Sequence, residues 1–312
     1  TWNDETAALV ARVAPDPADV PVFPTYDLEM QYEVIRTVGE HSDVPVPPLR
    51  WLETDDTALG VPFFVMDRVD GRVPPDIPPY AMGSWVSELS AEDRAAFQRA
   101  TVGVVAGIHG IDTTAVDTRF LEFDLPGDTP LRRHVENQRQ FYEWVCADAG
   151  RRYPTLERAF EWLEANWPDE TAPAISWGDA RIGNCMYAND GVDPVAVLDW
   201  EMAGIAPREV DLGWMCFLHE FFQFLLGQGG IDGLPDLLRP ADVASTYREI
   251  TGIDVGDLRW SQIYAGLRHG IVMARIHLRQ IHFEGAEWPD DPDQTFMFAD
   301  LLNAMLDGTA WD

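Results

Sequence analysis

The chain has 312 residues, enough for one large or two modest domains around an ample core. Its 53 acidic residues against 22 basic ones give a net charge of −31, which argues against nonspecific nucleic-acid binding and against docking on anionic membranes. Every fixed cation is an arginine, because the sequence contains no lysine. No apolar run approaches the ~20 residues that span a bilayer, and the first residues lack the basic and apolar regions of a signal peptide. Cys146, Cys185 and Cys216 are too widely spaced for a disulfide framework or zinc motif, so a reducing cytoplasm is the expected compartment.

Residues 1–14 read as the end of one strand, a turn at Asn3-Asp4-Glu5 and an alternating strand through Leu9, Val10 and Val13, which carries Arg12. A proline-rich loop at 16–25 leads into a helix over 26–40. Leu28, Tyr32, Ile35 and Val38 form its apolar face, while Glu29 and Glu33, four apart, share another. Two strands follow, at 49–53 and 62–69, joined by a turn at 55–60. Residues 71–83 are irregular and rich in proline, which marks a boundary between two lobes. Ser90 caps a helix running to about His109, with Asp93 at its third position. After a linker at 113–129 come amphipathic helices at 130–149, closed by Gly150, and 154–167.

The stretch from 175 to 201, ISWGDARIGNCMYANDGVDPVAVLDWE, carries the chemistry. It reads as a strand at 174–177, a polar loop at 178–183, an extended segment at 184–188, a hairpin turn at Asn189-Asp190-Gly191 and an apolar run ending at Asp199. Asp179, Asn184 and Asp199 are thereby gathered by one hairpin. Their oxygens suit a hard divalent cation and a hydroxyl-activating carboxylate. Beyond it, Pro207 opens a helix containing Asp211, and further helices are expected at 241–251, 257–284 and 293–306. On the 257–284 helix Arg268, Arg275, Arg279 and His282 fall within one narrow face. Such a stripe would suit an anionic ligand; internal salt bridging is the plainer explanation. The sequence has no internal repeat.

The spacing D-x4-N, followed by a second aspartate after a hairpin, is that of a kinase-type catalytic loop. Trp177-Gly178-Asp179-Ala180-Arg181-Ile182-Gly183-Asn184, with Asp199-Trp200-Glu201 and Asp211-Leu212, resembles the aminoglycoside phosphotransferase family of protein-kinase-like enzymes. WGDARIGN is most similar to the subgroup related to kinase domains fused to acyl-CoA dehydrogenases. In the wider family a histidine usually stands where Trp177 does.

The resemblance implies an α+β, two-lobed protein-kinase-like fold, with a small β-rich N-lobe over 1–70 and a mainly helical C-lobe over 71–312. The N-lobe is expected to be incomplete, lacking the first strand and phosphate loop ahead of Thr1. It further implies transfer of the terminal phosphoryl group of ATP, with Mg2+, to a hydroxyl of a small molecule. The acceptor would be an aminoglycoside or a hydroxyacyl or other anionic metabolite; a catalytically degenerate nucleotide-binding module is the alternative. Neither nucleic acid nor membrane is an expected partner. By the same resemblance Asp179 accepts or orients the hydroxyl proton, Arg181 faces the moving phosphoryl group, and Asn184 and Asp199 ligate magnesium. Arg12 takes the place of the strand lysine. Glu29 or Glu33 would pair with it, with Gln31 standing near the family's usual glutamate. Met66 would line the adenine pocket, and backbone groups of Asp67 and Val69 would read its edge. His109 is expected to be a hydrogen-bonded core or capping group, and Asp211 to tie its helix to the loop amides.

Overall fold

The computed structural model describes residues 7–311, so the turn expected at Asn3-Asp4-Glu5 lies outside the described residues. A three-stranded antiparallel sheet, β1 (Leu9–Val13), β2 (Leu49–Glu53) and β3 (Phe63–Asp67), has the order β1-β3-β2, with Arg12 opposite Phe64. Helix α1 (Leu28–His41) crosses it. The Asp27 carboxylate accepts the Met30 N–H at 2.8 Å and starts the helix, and Val34, Ile35 and Val38 turn inward with Leu28. The Tyr32 and Phe64 rings meet edge to face at 6.0 Å.

The larger lobe is mainly helical. It holds α2 (Ala91–His109), α3 (Pro130–Ala149), α4 (Pro154–Ala165), α5 (Glu209–Gln228), α6 (Pro240–Thr251), α7 (Arg259–Glu284) and α8 (Ala299–Asp307). Ser90 caps α2 by accepting the Asp93 N–H and donating to its carboxylate, as its sequence implies. Two antiparallel ribbons interrupt the helices: β4 (Pro173–Ser176) with β7 (Gly204–Pro207), and β5 (Cys185–Tyr187) with β6 (Pro194–Val197). Helices α5 and α7 touch almost backbone to backbone. A Cβ at Gly213 would stand 2.5 Å from the Ser261 carbonyl carbon, so glycine sets this approach. It also brings the Arg268 guanidinium to 4.5 Å from the Trp214 ring. The whole is the expected α+β, two-lobed kinase-like arrangement, and no helix among the described residues is long and apolar enough to cross a membrane.

Two expectations need correction. Pro207 ends strand β7 and does not open a helix; α5 begins at Glu209. Gly-Ile-Ala-Pro has little strand propensity, and its extension comes from pairing with β4. Near the C-terminus a short 3-10 turn (Pro292–Thr295) precedes α8, where one longer helix was expected.

On α5 the His219 ring is buried. Its Nε2 donates to the Leu234 carbonyl at 3.1 Å, so Nδ1 accepts the Tyr80 hydroxyl at 2.6 Å and the imidazole is neutral. Burial pushes its pKa down to about 4, against about 6.5 in an unfolded chain. A depressed value means stability fully present above the unfolded pKa and lost as pH falls toward the folded one. Between about pH 6 and pH 5 unfolding should therefore take up nearly one proton here, worth roughly 1.4 kcal/mol per pH unit. Urea unfolding of His219→Gln across that interval is expected to show a pH slope shallower by about that amount.

Candidate functional site

The loop after β4 must leave a buried strand and expose side chains without stranding its own amides. Asp211, on the first turn of α5 and fully buried, solves this. It accepts the Trp177 N–H at 2.8 Å, the Gly178 N–H at 3.0 Å and the Ser176 hydroxyl at 2.7 Å, with His109 Nε2 at 3.0 Å. Burial alone would raise its pKa, but the bonds from His109, Ser176 and Gly178 hold it below the ordinary carboxylate range. His109 is in turn fixed by the Tyr247 hydroxyl at 3.1 Å. The structural roles expected of both residues are thus realised. Gly178 has φ +88°, and a Cβ there would fall 1.9 Å from the Met202 carbonyl oxygen, so no other residue fits.

Asp179 emerges from this anchor with both carboxylate oxygens held. Oδ2 accepts the Asn184 amide at 2.6 Å, and Oδ1 accepts the Trp214 indole N–H at 2.6 Å. Trp214 lies three residues after Asp211 on α5, the same helix face, which was the signal available for it. Arg181 Nε sits 3.3 Å from Asp179, while its Nη1 donates to both oxygens of Asp76 at 2.9 and 2.7 Å. Nothing in the proline-rich segment around Asp76 marked it as that partner.

Asn184 spends its N–H groups on Asp179, leaving its side-chain oxygen for a cation. Asp199 adopts φ +58°, uncommon for a residue other than glycine. Its Oδ1 is buried without a hydrogen-bond partner, the Arg12 guanidinium being 3.6 Å away. Burial, then the Asp179 charge, raise the Asp199 pKa. An orphaned carboxylate oxygen and an amide oxygen from two residues of one cleft fit magnesium, which takes one or two protein ligands and relies on phosphates and water for the rest. Accordingly, no group of three or more His, Cys, Asp or Glu side chains among the described residues forms a metal cage.

Arg12 faces the same centre from β1. Its guanidinium donates to Glu201 at 2.5 Å and not to a helix glutamate. Glu33 bonds Arg36 on its own helix at 2.6 Å, so the Glu29-or-Glu33 pairing is corrected. From α1, Gln31, 3% exposed, and Ile35 reach Arg12's cleft, and Gln31 is the polar one. That cleft, about 370 Å3, is lined by Arg12, Gln31, Phe64, Met66, Asn184 and Asp199 among others. Met66 thus shares one cleft with Asn184 and Asp199. Asp67 and Val69 do not line it: the Asp67 amide donates to Pro48 O at 2.8 Å and its carboxylate grips Arg50.

The arginine stripe divides. Arg275 donates to Pro21 O and Asp148, and Arg279 to Asp19 O and Val20 O, so both tie the 16–25 loop to α7. Arg268 instead lines a second cleft, of about 580 Å3, walled by α3, the 120–124 segment and Glu201 to Ala203.

Asp211 is the residue on which this geometry turns. Asp211→Asn removes a buried charge that faces three donors and His109, and is expected to cost about 3 kcal/mol or more of stability. Chemical denaturation checks this; a loss under about 1 kcal/mol would show that the anchor is dispensable.

The phosphotransferase enzyme family model matches residues 3–241. Curated relatives include the probable acyl-CoA dehydrogenase IBR3 of Arabidopsis thaliana, 25% identical over 61% of this chain and 22% of that protein. Acyl-CoA dehydrogenase family member 10 of Mus musculus is 27% identical over 70% of this chain and 19% of that protein. The chain spans about a fifth of the length of these relatives. Among solved structures, a putative aminoglycoside phosphotransferase of Ralstonia eutropha superposes with TM-score 0.69 at 22% identity, covering 97% of this chain and 85% of that one. A streptomycin–ATP–aminoglycoside phosphotransferase complex gives TM-score 0.56 at 12% identity, covering 94% and 86%. At these identities the structural matches speak for the fold, and the family match covers most of the sequence. The chain belongs to the phosphotransferase enzyme family and has the kinase-like fold of the aminoglycoside phosphotransferases.

Proposed function

We propose that this chain transfers the terminal phosphoryl group of ATP to a hydroxyl of a small molecule. The observation that carries the reading is the meeting of Asp179, Asn184 and Asp199 beside a cleft whose other wall holds Arg12 and Met66. Asp179 orients the acceptor hydroxyl and takes its proton through a lone pair not used by Asn184 or Trp214. Asn184 and Asp199 would hold magnesium, which would supply positive charge to the donor's phosphates. Arg181, fixed by Asp76, lends positive charge to the moving phosphoryl group. Arg12 exchanges Glu201 for the nucleotide's phosphates. The small lobe ends near Asp70, since the next residues turn to the large lobe: Arg72 exchanges both backbone hydrogen bonds with Tyr187. The neighbours' nucleotide and drug complexes support a nucleotide donor and a small acceptor, while the acyl-CoA dehydrogenase relatives favour an acyl or other anionic metabolite.

One observation favours a second reading, a nucleotide-binding module without turnover: Arg12 is already engaged by a carboxylate. Asp179→Asn separates the two. ADP release with a panel of hydroxyl acceptors should fall by about 10²–10⁴-fold while the chain still unfolds in one cooperative transition. Undiminished turnover removes Asp179 from its role, and Mg-ATP binding with no turnover by the parent chain favours the module.

A further inference from the structure

Arg268 is 1% exposed, yet only its Nη2 has a partner, the Gly178 carbonyl at 2.9 Å; Nε and Nη1 are buried with none. Arg275, two helical turns on and equally buried, bonds through both Nε and Nη1. Leaving donors of a buried cation unmade costs about 1–3 kcal/mol each, and such groups mark places a ligand completes. Arg268 is held by its stack on Trp214 and by the Gly178 bond, so it cannot swing to a protein partner without giving those up.

Arg268 is among the residues that line the 580 Å3 cleft, a size ordinary for a small-molecule site. His134 and Gln138, both nearly buried, share the wall with Phe123, Phe141 and Asn137. His134 is neutral: burial, then the Arg268 charge, push it down to about 3, so Arg268 is the cleft's one buried cation. The carboxylates at the mouth do not cancel it. Asp27 caps α1 and, without nucleotide, Glu201 is paired with Arg12, while Glu122 and Asp124 are solvent-exposed and screened. The cleft also adjoins the catalytic loop, because Arg268 bonds the residue before Asp179, and Glu201 follows Asp199 by two.

We infer that this cleft seats an anionic oxygen group, a carboxylate, on the free N–H groups of Arg268, and that the phosphoryl acceptor is a hydroxylated carboxylate. The term acceptor rests on the phosphotransfer reading; the anion site does not.

Titration calorimetry of the full chain with hexanoate, hexanamide and hexylamine tests the site without turnover. Hexanoate should bind at least ~10-fold tighter than the other two, as one charge-assisted bond requires. Arg268→Met should abolish the preference. Because that variant also loses the Gly178 bond, Asn137→Asp provides the second test: a negative charge on the wall should weaken hexanoate several-fold and leave hexanamide unchanged. Equal binding of the three compounds, no hexanoate binding, or indifference to Asn137→Asp overturns the inference. Mg-ATP titrated into the same samples keeps the two ideas apart. Nucleotide binding without a hexanoate preference sinks only the anion site, and the reverse sinks only the phosphotransfer reading.

Discussion

A catalytic loop has to turn sharply, exclude water from its backbone and still aim side chains outward. In this chain the burden falls on the buried carboxylate of Asp211, which gathers the N–H groups of Trp177 and Gly178, the Ser176 hydroxyl and the His109 ring. Because Asp211 belongs to α5, and α5 lies against α7 through Gly213, the loop's position is set by the packing of the largest helices. The same helix sends Trp214 to Asp179, and the same interface sends Arg268 to the Gly178 carbonyl. Both sides of the loop are thus fastened to one rigid pair of helices, which is how a short polar segment keeps a fixed geometry.

The small lobe shows how a kinase-like fold accommodates a sequence without lysine. The strand cation is Arg12, the helix position that would face it is Gln31, and the compensating carboxylate is Glu201, just past Asp199. Burial, then the Asp199 charge, raise the Glu201 pKa to about 7, against the opposing pull of Arg12. With Asp179, Asp199 and Glu201 converging, the centre is short of positive charge, an electrostatic condition that a divalent ion and its phosphates would relieve.

The fold and the loop were readable because they follow from local pattern. Apolar spacing marked α1, α3 and α4 within a few residues, the Ser90–Asp93 capping pair marked the start of α2, and the D-x4-N spacing with its hairpin located Asp179, Asn184 and Asp199. The misses share a different cause. The partner of Arg12, the grip of Asp76 on Arg181 and strand β7 depend on residues far apart in the chain meeting in space. The arginine stripe shows the limit of periodicity: one helix face was read correctly, but packing gave Arg275 and Arg279 to the 16–25 loop and left Arg268 at a cavity. Trp214 was within reach, since Asp211 and Trp214 share a helical face.

The most direct test of the central claim is a crystal structure with magnesium and a nonhydrolysable ATP analogue. The ion should lie about 2.1 Å from oxygens of Asn184 and Asp199, with the phosphates against Arg12 and the base beside Met66. A nucleotide bound elsewhere, or a metal that ignores both residues, would contradict the account.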